Sequence, residues 1–459
     1  MKRGLIQILL ANIIYLIINI FSSFLLPKLL SIDTYAVLKT YTFYIGYAGF
    51  LSLGYADGMY LKYGGEDINN INFFDFSSNY KSYILLEIFI SFICLVISLV
   101  IKDFVFMAFA VGSFCINLIG YYKNFYQAVG EFQLYGKALN YQTILLFAVN
   151  MLLLFLLKTD DSKIYIATQV GTAAVVMLYL TFRLERKTAF LKKGKVSLNQ
   201  IKENVLSGFT LMLGNFSSSI FTGLDRWFVK ILMTSTDFAF YSFAVSLENI
   251  VNVFITPITI SLFNIFCKNT ASTYIYKIKK LSLLWGFFLI AASFPVKWIV
   301  SNFLPNYEGA TAIIVPLFAA QAFYVVIKGI YVNLYKVKRQ QKKYFILMLV
   351  MIVIATVLNA LLYVLYPVPE TFAIATFLTA VLWYVYCEVE NKEIRFGVKE
   401  YIFILLLVIA YFICCRMDNC IIALLLYVFI YVMASLLLMT DSVKYLWHTF
   451  KKGIGNKRK

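Results

Sequence analysis

Residues Tyr83 to Ile101 read YILLEIFISFICLVISLVI, nineteen positions carrying one charge, Glu87, with Lys81 just before the run and Lys102 just after it. Wound as a helix rising about 1.5 Å per residue, such a run crosses most of the ~30 Å hydrocarbon layer of a bilayer. Lipid offers no partners to peptide groups, so a helix, which pairs its own N–H and C=O groups, is the conformation this stretch can hold there.

The same reading repeats along the chain. Apolar runs fall near residues 4–27, 35–61, 83–101, 104–122, 141–157, 164–182, 204–232, 238–266, 281–304, 311–335, 344–366, 370–388, 401–415 and 420–439. Of the 459 residues, 61% are hydrophobic and only 14% charged, with a mean hydropathy of +0.80. A soluble chain keeps about a quarter of its residues charged to stay wetted. The expectation is an all-α polytopic membrane protein of about fourteen transmembrane helices. Residues 401–415 form a short run, and 35–61 contains Gly46, Gly49 and Gly54, which predict a bent or broken span. Pro257, Pro295 and Pro316 inside other spans predict kinks, because each removes a helical N–H. Lys2 and Arg3 precede an apolar run too long for a signal peptide and without a small-residue cleavage site, which predicts a retained first span.

The 41 Lys and Arg against 23 Asp and Glu leave a formal charge of +18. These charges occupy short loops between apolar runs, which excludes a nucleic-acid-binding domain. Alternating the loops across fourteen spans puts 31 basic residues on one side and 9 on the other, with Lys328 inside a span. By the positive-inside rule the basic side is cytoplasmic and both termini lie there. The loops on the opposite side are all short, whereas membrane glycosyltransferases and polysaccharide polymerases place their chemistry in long ones.

Self-comparison suggests a duplication. Leu10-Ala11-Asn12 pairs with Leu213-Gly214-Asn215, Lys28-Leu29-Leu30 with Lys230-Ile231-Leu232, and Tyr122-Lys123-Asn124-Phe125-Tyr126 with Tyr331-Val332-Asn333-Leu334-Tyr335, at offsets of 202 to 209 residues. An even number of spans per copy gives parallel repeats about an axis along the membrane normal. The expected organisation is a six-helix bundle in 1–182, a basic cytoplasmic linker in 183–203, a second six-helix bundle in 204–390, and an appended helix pair with a basic tail in 391–459. Two such bundles across a cleft suit alternating access.

Charged residues inside spans cost about 2.5–3.5 kcal/mol each on insertion scales and tend to mark a functional cavity. They are Asp225, Arg226, Glu248, Lys328, Lys39, Asp57 and Glu87. Arg226, Lys328 and Lys39 are candidates for an anionic substrate; Asp225, Glu248 and Asp57 are candidates for ion coupling or structural pairing. For Lys328 the alternative is snorkelling to the interface, for Arg226 anchoring beside Trp227, and for Asp57 a helix-end role. The many Tyr and Phe residues are read as lipid-facing surface, helix packing and interfacial belts. The acidic pair Asp160-Asp161 reads as a solvated loop. His448, the single histidine, falls in the C-terminal tail. Neither a Walker loop, nor HExxH, nor a Ser-His-Asp set appears. The seven cysteines show no CxxC spacing. The reading is a transporter without its own ATPase, metal site or cofactor.

Several motifs resemble the polysaccharide-transporter family, the O-antigen and capsule flippases of the multidrug/oligosaccharidyl-lipid/polysaccharide exporter superfamily. They are Ser31-Ile32-Asp33-Thr34-Tyr35-Ala36 and Ser235-Thr236-Asp237-Phe238-Ala239-Phe240-Tyr241, Tyr126-Gln127-Ala128-Val129-Gly130-Glu131-Phe132, Leu53-Gly54-Tyr55-Ala56-Asp57-Gly58 with Lys62-Tyr63-Gly64-Gly65, and Leu224-Asp225-Arg226. Two departures stand out: Ala36 and Ala239 occupy positions where glycine is common, and the second copy of the Gly130 motif, Tyr335-Lys336-Val337-Lys338-Arg339, has no glycine. The resemblance implies a flippase that moves an undecaprenyl-pyrophosphate-linked oligosaccharide to the outer leaflet of the bacterial cytoplasmic membrane, for surface polysaccharide biosynthesis. Its implied partners are that glycan lipid and the polysaccharide polymerase and chain-length machinery, with no nucleic acid. It implies a net positive lining, whereas the rival reading, a drug or cation antiporter of the same fold, implies carboxylates. A polymerase or glycosyltransferase is the third alternative.

Overall fold

The computed structural model describes residues 2–445; the basic tail with His448 lies outside the described residues. All regular structure among the described residues is helical, in seventeen α-helices. They are α1 (Lys2–Leu29), α2 (Ile32–Ile45), α3 (Tyr55–Lys62), α4 (Phe73–Ile101), α5 (Phe104–Ala128), α6 (Phe132–Met151), α7 (Ser162–Thr188), α8 (Leu198–Leu232), α9 (Ser235–Lys268), α10 (Ser272–Leu289), α11 (Ser293–Phe303), α12 (Ala310–Val326), α13 (Val332–Val337), α14 (Gln341–Leu365), α15 (Pro369–Glu390), α16 (Val398–Cys415) and α17 (Cys420–Leu438). Each expected apolar run is helical, and eleven helices or joined helices among the described residues are long and apolar enough to cross a membrane. The other three expected runs are α1, the interrupted α2–α3 segment, and α8, which is 35 residues long but carries Asp225 and Arg226. The chain divides into two compact units, Met1–Ile220 and Phe221–Lys459, and the division falls within α8.

The 35–61 run is broken, as its glycines suggested. α2 ends before Gly46, a 3₁₀ turn covers Ala48–Ser52, and Leu53 (φ 51°) and Gly54 (φ 83°) both turn left-handed before α3 begins. The prolines behave differently from one another. α10 and α11 are separated by a 3₁₀ turn just ahead of Pro295, whereas α12 carries Pro316 without interruption and α9 runs on through residue 257.

The repeated motifs are helix starts and stops. Ser31 caps α2 by accepting from the Thr34 N–H at 3.3 Å, and Thr234 caps α9 in a reciprocal box with Asp237, each satisfying N–H groups that a helix leaves open. Ala36 and Ala239 are buried immediately inside these starts. After α5, Gly130 adopts φ 73°; at the matching position after α13, Arg339 adopts φ 56°. The closing bonds match too: Glu131 N–H to Tyr126 O and Gln340 N–H to Tyr335 O are both 2.8 Å. The turn persists although its glycine does not.

Asp160 and Asp161 lie exposed in their loop, as expected, and they also fasten neighbouring helix starts. Asp160 accepts from the Ser31 N–H at 3.0 Å and the Thr34 hydroxyl at 2.7 Å, while Asp161 caps α7. The basic linker is likewise packed: Gly194 accepts from the Lys81 ammonium at 2.6 Å and donates to the Ser77 hydroxyl at 2.9 Å.

Of the places expected for the aromatics, helix packing takes many of the tyrosines. The twelve largest fully buried side chains among the described residues are all tyrosines. Tyr55 donates to Asn79 O at 2.8 Å and Tyr427 to Phe287 O at 2.8 Å, so an amphipathic ring fills the core without an orphaned polar atom.

Lys279, counted from the sequence among the cytoplasmic loop cations, is instead wholly buried in α10. Its ammonium pairs with Glu388 and donates to Ile394 O at 2.8 Å. Glu388 also accepts from the Tyr331 hydroxyl at 2.8 Å, the Phe396 N–H at 3.0 Å and the Tyr401 hydroxyl at 3.2 Å. This network fastens α10, the turn Ile327–Tyr331 that follows α12, α15 and the start of α16 to one another.

Candidate functional site

The second unit gathers four of the six sequence candidates. Asp225, on α8, is buried; it accepts from the Tyr241 hydroxyl of α9 at 2.7 Å and the Thr376 hydroxyl of α15 at 3.3 Å. Its other oxygen accepts from the Arg226 N–H at 2.7 Å. Glu248, two turns along α9 from Tyr241, accepts from the side-chain amide of Gln321 on α12. Asp225, Arg226 and Lys328 all lie within electrostatic reach of Glu248. Lys328 sits on a π-helical turn, Ile327–Tyr331, that follows α12, with its ammonium 5.0 Å from the Tyr324 ring centroid. A π-turn adds a residue to one helical turn and re-aims the side chains there, which is why such turns recur at functional sites.

The sequence spacing implied none of this assembly. Gln321 and Tyr241, which hold the two carboxylates, were missed. The available signal for Gln321 was a lone carboxamide in the apolar run Ile313–Val326, where a buried amide requires a partner. The four charges, two acidic and two basic, balance, so among the described residues this cluster lacks the net positive lining that the resemblance implied.

Lys39 and Asp57 belong to the first unit. Lys39, on α2, places its ammonium 5.2 Å from the Tyr35 ring centroid. Asp57 lies in the first turn of α3, where a carboxylate complements the helix dipole, and it accepts from Asn215 at 3.3 Å. It borders a cavity of about 190 Å³ whose walls include Tyr83, Asn117, Asn124 and Asn215. Behind this wall Glu87 is fully buried. It accepts from Asn117 at 2.9 Å, while its Oε1 has no hydrogen-bond partner among the described residues. The first unit's polar cavity is therefore rich in carboxylate and carboxamide groups, and chemically suited to a cation or to water.

The motif around Asp57 also packs helices. Gly54 and Gly58, four apart in sequence at the start of α3, meet Asn204 and Gly208 on α8 at backbone contact, an arrangement open only to residues without a Cβ.

No family model matches the sequence, and no curated protein matches it. Solved structures do. The lipid II flippase MurJ in its inward closed conformation superposes on 96% of this chain and 100% of its own, with a TM-score of 0.71 at 14% identity. An inward-facing multidrug resistance MATE family transporter of the MOP superfamily matches 83% of this chain and 95% of its own, with a TM-score of 0.53 at 13% identity. An outward-facing transporter of the same description matches 86% and 96%, with a TM-score of 0.51 at 13% identity. The chain is a multi-pass membrane protein with the fold that lipid II flippase MurJ and the MATE transporters share.

Proposed function

We propose that the protein is a flippase for an undecaprenyl-pyrophosphate-linked oligosaccharide, working by alternating access without its own ATPase in the synthesis of a surface polysaccharide. The observation that carries this reading is the likeness to a lipid II flippase along the whole length of both chains, at a TM-score well above those of the drug transporters. Lys328 and Arg226 are the cations of the second unit's membrane cluster and would meet the pyrophosphate; within the first unit, Lys39 is the candidate for an anion. Asp225 and Glu248 would hold these cations when the substrate is absent. Mixed charge suits such a cycle, because a pyrophosphate that displaces a carboxylate from a cation leaves no isolated positive charge behind when it departs.

The test is surface glycan in cells carrying Lys328→Ala or Arg226→Ala, with membrane insertion verified. Loss of glycan from the surface and accumulation of its lipid-linked precursor are expected. Wild-type glycan in both variants removes these residues from the site. The second reading, a drug or cation antiporter, is favoured by the carboxylate-bearing cavity at Asp57. Proteoliposomes separate the two readings: flipping of a lipid-linked oligosaccharide supports the first, and ion-driven uptake of a cationic dye without flipping supports the second.

A further inference from the structure

At the start of α14 a groove of about 440 Å³ is walled by Gln340, Lys342, Lys343, Ile346, Leu347, Val350 and Tyr386. Its two ends differ in chemistry. The polar end lies in a stretch of eight residues holding five cations, Lys336, Lys338, Arg339, Lys342 and Lys343. The apolar end runs between α14 and α15, both long and apolar enough to cross a membrane, and continues into outward-facing side chains. Ile346, Val350 and Val353 of α14, and Val385, Tyr386 and Val389 of α15, are all exposed.

We infer that this groove binds an anionic membrane phospholipid, with the phosphate on Lys342 and Lys343 and an acyl chain along Ile346, Val350 and Tyr386. Charge complementarity selects the headgroup. Lys343 pairs with Glu390, which also accepts from the Tyr335 hydroxyl, while the described residues give Lys342 no carboxylate partner. One ammonium is thus anchored, and the other is left to an outside anion. The apolar wall selects a lipid over a soluble phosphate. A free anion gains nothing from Ile346 or Val350, whereas an acyl chain can lie along them without leaving apolar surroundings and so keeps its phosphate beside the lysines. Basic pockets between membrane helices are a recurrent setting for such headgroups. Bulk phospholipid is the occupant proposed because the groove opens sideways, along the exposed faces of α14 and α15, where membrane lipid is in vast excess.

The experiment is native mass spectrometry of the purified full chain, titrated with phosphatidylglycerol or phosphatidylcholine of equal chain length. Preferential retention of phosphatidylglycerol is expected. Lys342→Gln with Lys343→Gln should lower that retention about ten-fold, glutamine keeping a donor for Glu390. Ile346→Trp, which fills the groove and leaves every charge in place, should lower it too, and Lys195→Gln, far along the sequence on the basic linker, should not. Thermal unfolding verifies that each variant is folded. Three outcomes overturn the inference: equal retention of the two lipids, undiminished preference in both groove variants, or displacement of phosphatidylglycerol by millimolar inorganic phosphate. Preferential displacement by a polyprenyl phosphate overturns the choice of occupant.

Discussion

A methyl group on Gly208 would lie 2.0 Å from the carbonyl oxygen of Gly54, and one on Gly58 would lie 2.1 Å from that of Asn204. These atoms are backbone and cannot step aside as a flexible side chain would. In the first unit α3 and α8 therefore touch main chain to main chain, in the manner of small-residue helix contacts within membranes. Gly208→Ala and Gly58→Ala are each expected to destabilise the protein by about 3 kcal/mol, the range of forced overpacking. Gly214, on the same helix, has open space where a methyl would go, with nothing within 4 Å, and Gly214→Ala should be neutral or slightly stabilising. Thermal melts in detergent check this: an equal fall in Tm for Gly208→Ala and Gly214→Ala would refute the close approach.

The buried pair of Lys279 and Glu388 should behave as a unit. Removing one partner leaves the other charge uncompensated in the interior, which costs about 3–5 kcal/mol, while removing both is far less harmful. Lys279→Met alone and Glu388→Gln alone are expected to lower stability strongly, and the double substitution to recover a large part of the loss. A double-mutant cycle measures the coupling, and additive effects would contradict it.

Glu248 takes its hydrogen bond from Gln321, whose own Oε1 has no partner among the described residues. Gln321→Leu strips the carboxylate of that donor and is expected to cost about 1–3 kcal/mol. Glu248→Gln keeps a hydrogen bond to Gln321 but takes a carboxylate away from Arg226 and Lys328, and should cost more, in the range of an uncompensated buried charge. Equilibrium unfolding of the two variants checks this, and unchanged stability in Gln321→Leu would refute the bond.

Gly130 and Arg339 occupy matching left-handed turns, at φ 73° and 56°. A side chain in that region costs roughly 1–2 kcal/mol. Gly130→Ala should therefore destabilise by about 1 kcal/mol, while Arg339→Gly exchanges relief of strain for a more flexible unfolded chain and should shift stability by less than that. Melting temperatures of the pair decide it; a large loss in Arg339→Gly would show that its side chain, and not its backbone, sets the turn.

The amino-acid sequence by itself determined the helical, membrane-spanning class, the helices at every expected run, the break near Gly54, and the pairing of the Gly130 and Arg339 turns. These features follow from local rules: the length of an apolar run, the peptide's need for hydrogen bonds in lipid, and the spacing of glycines. It also singled out the charged residues of the spans, because any charge there is costly wherever it points.

Only the tertiary structure decided which of them meet. Asp225 and Arg226 are neighbours in the chain, yet Tyr241, Gln321, Lys328 and Thr376 reach them and Glu248 from other helices, most of them scores of residues away. Lys279 looked like a loop cation because its partner Glu388 is more than a hundred residues distant. Which tyrosines pack in the core was open in the sequence for the same reason. Helix period and hydropathy fix which residues share a face; which face turns to protein and which to lipid is settled by packing between helices, and that information is distributed over the whole chain.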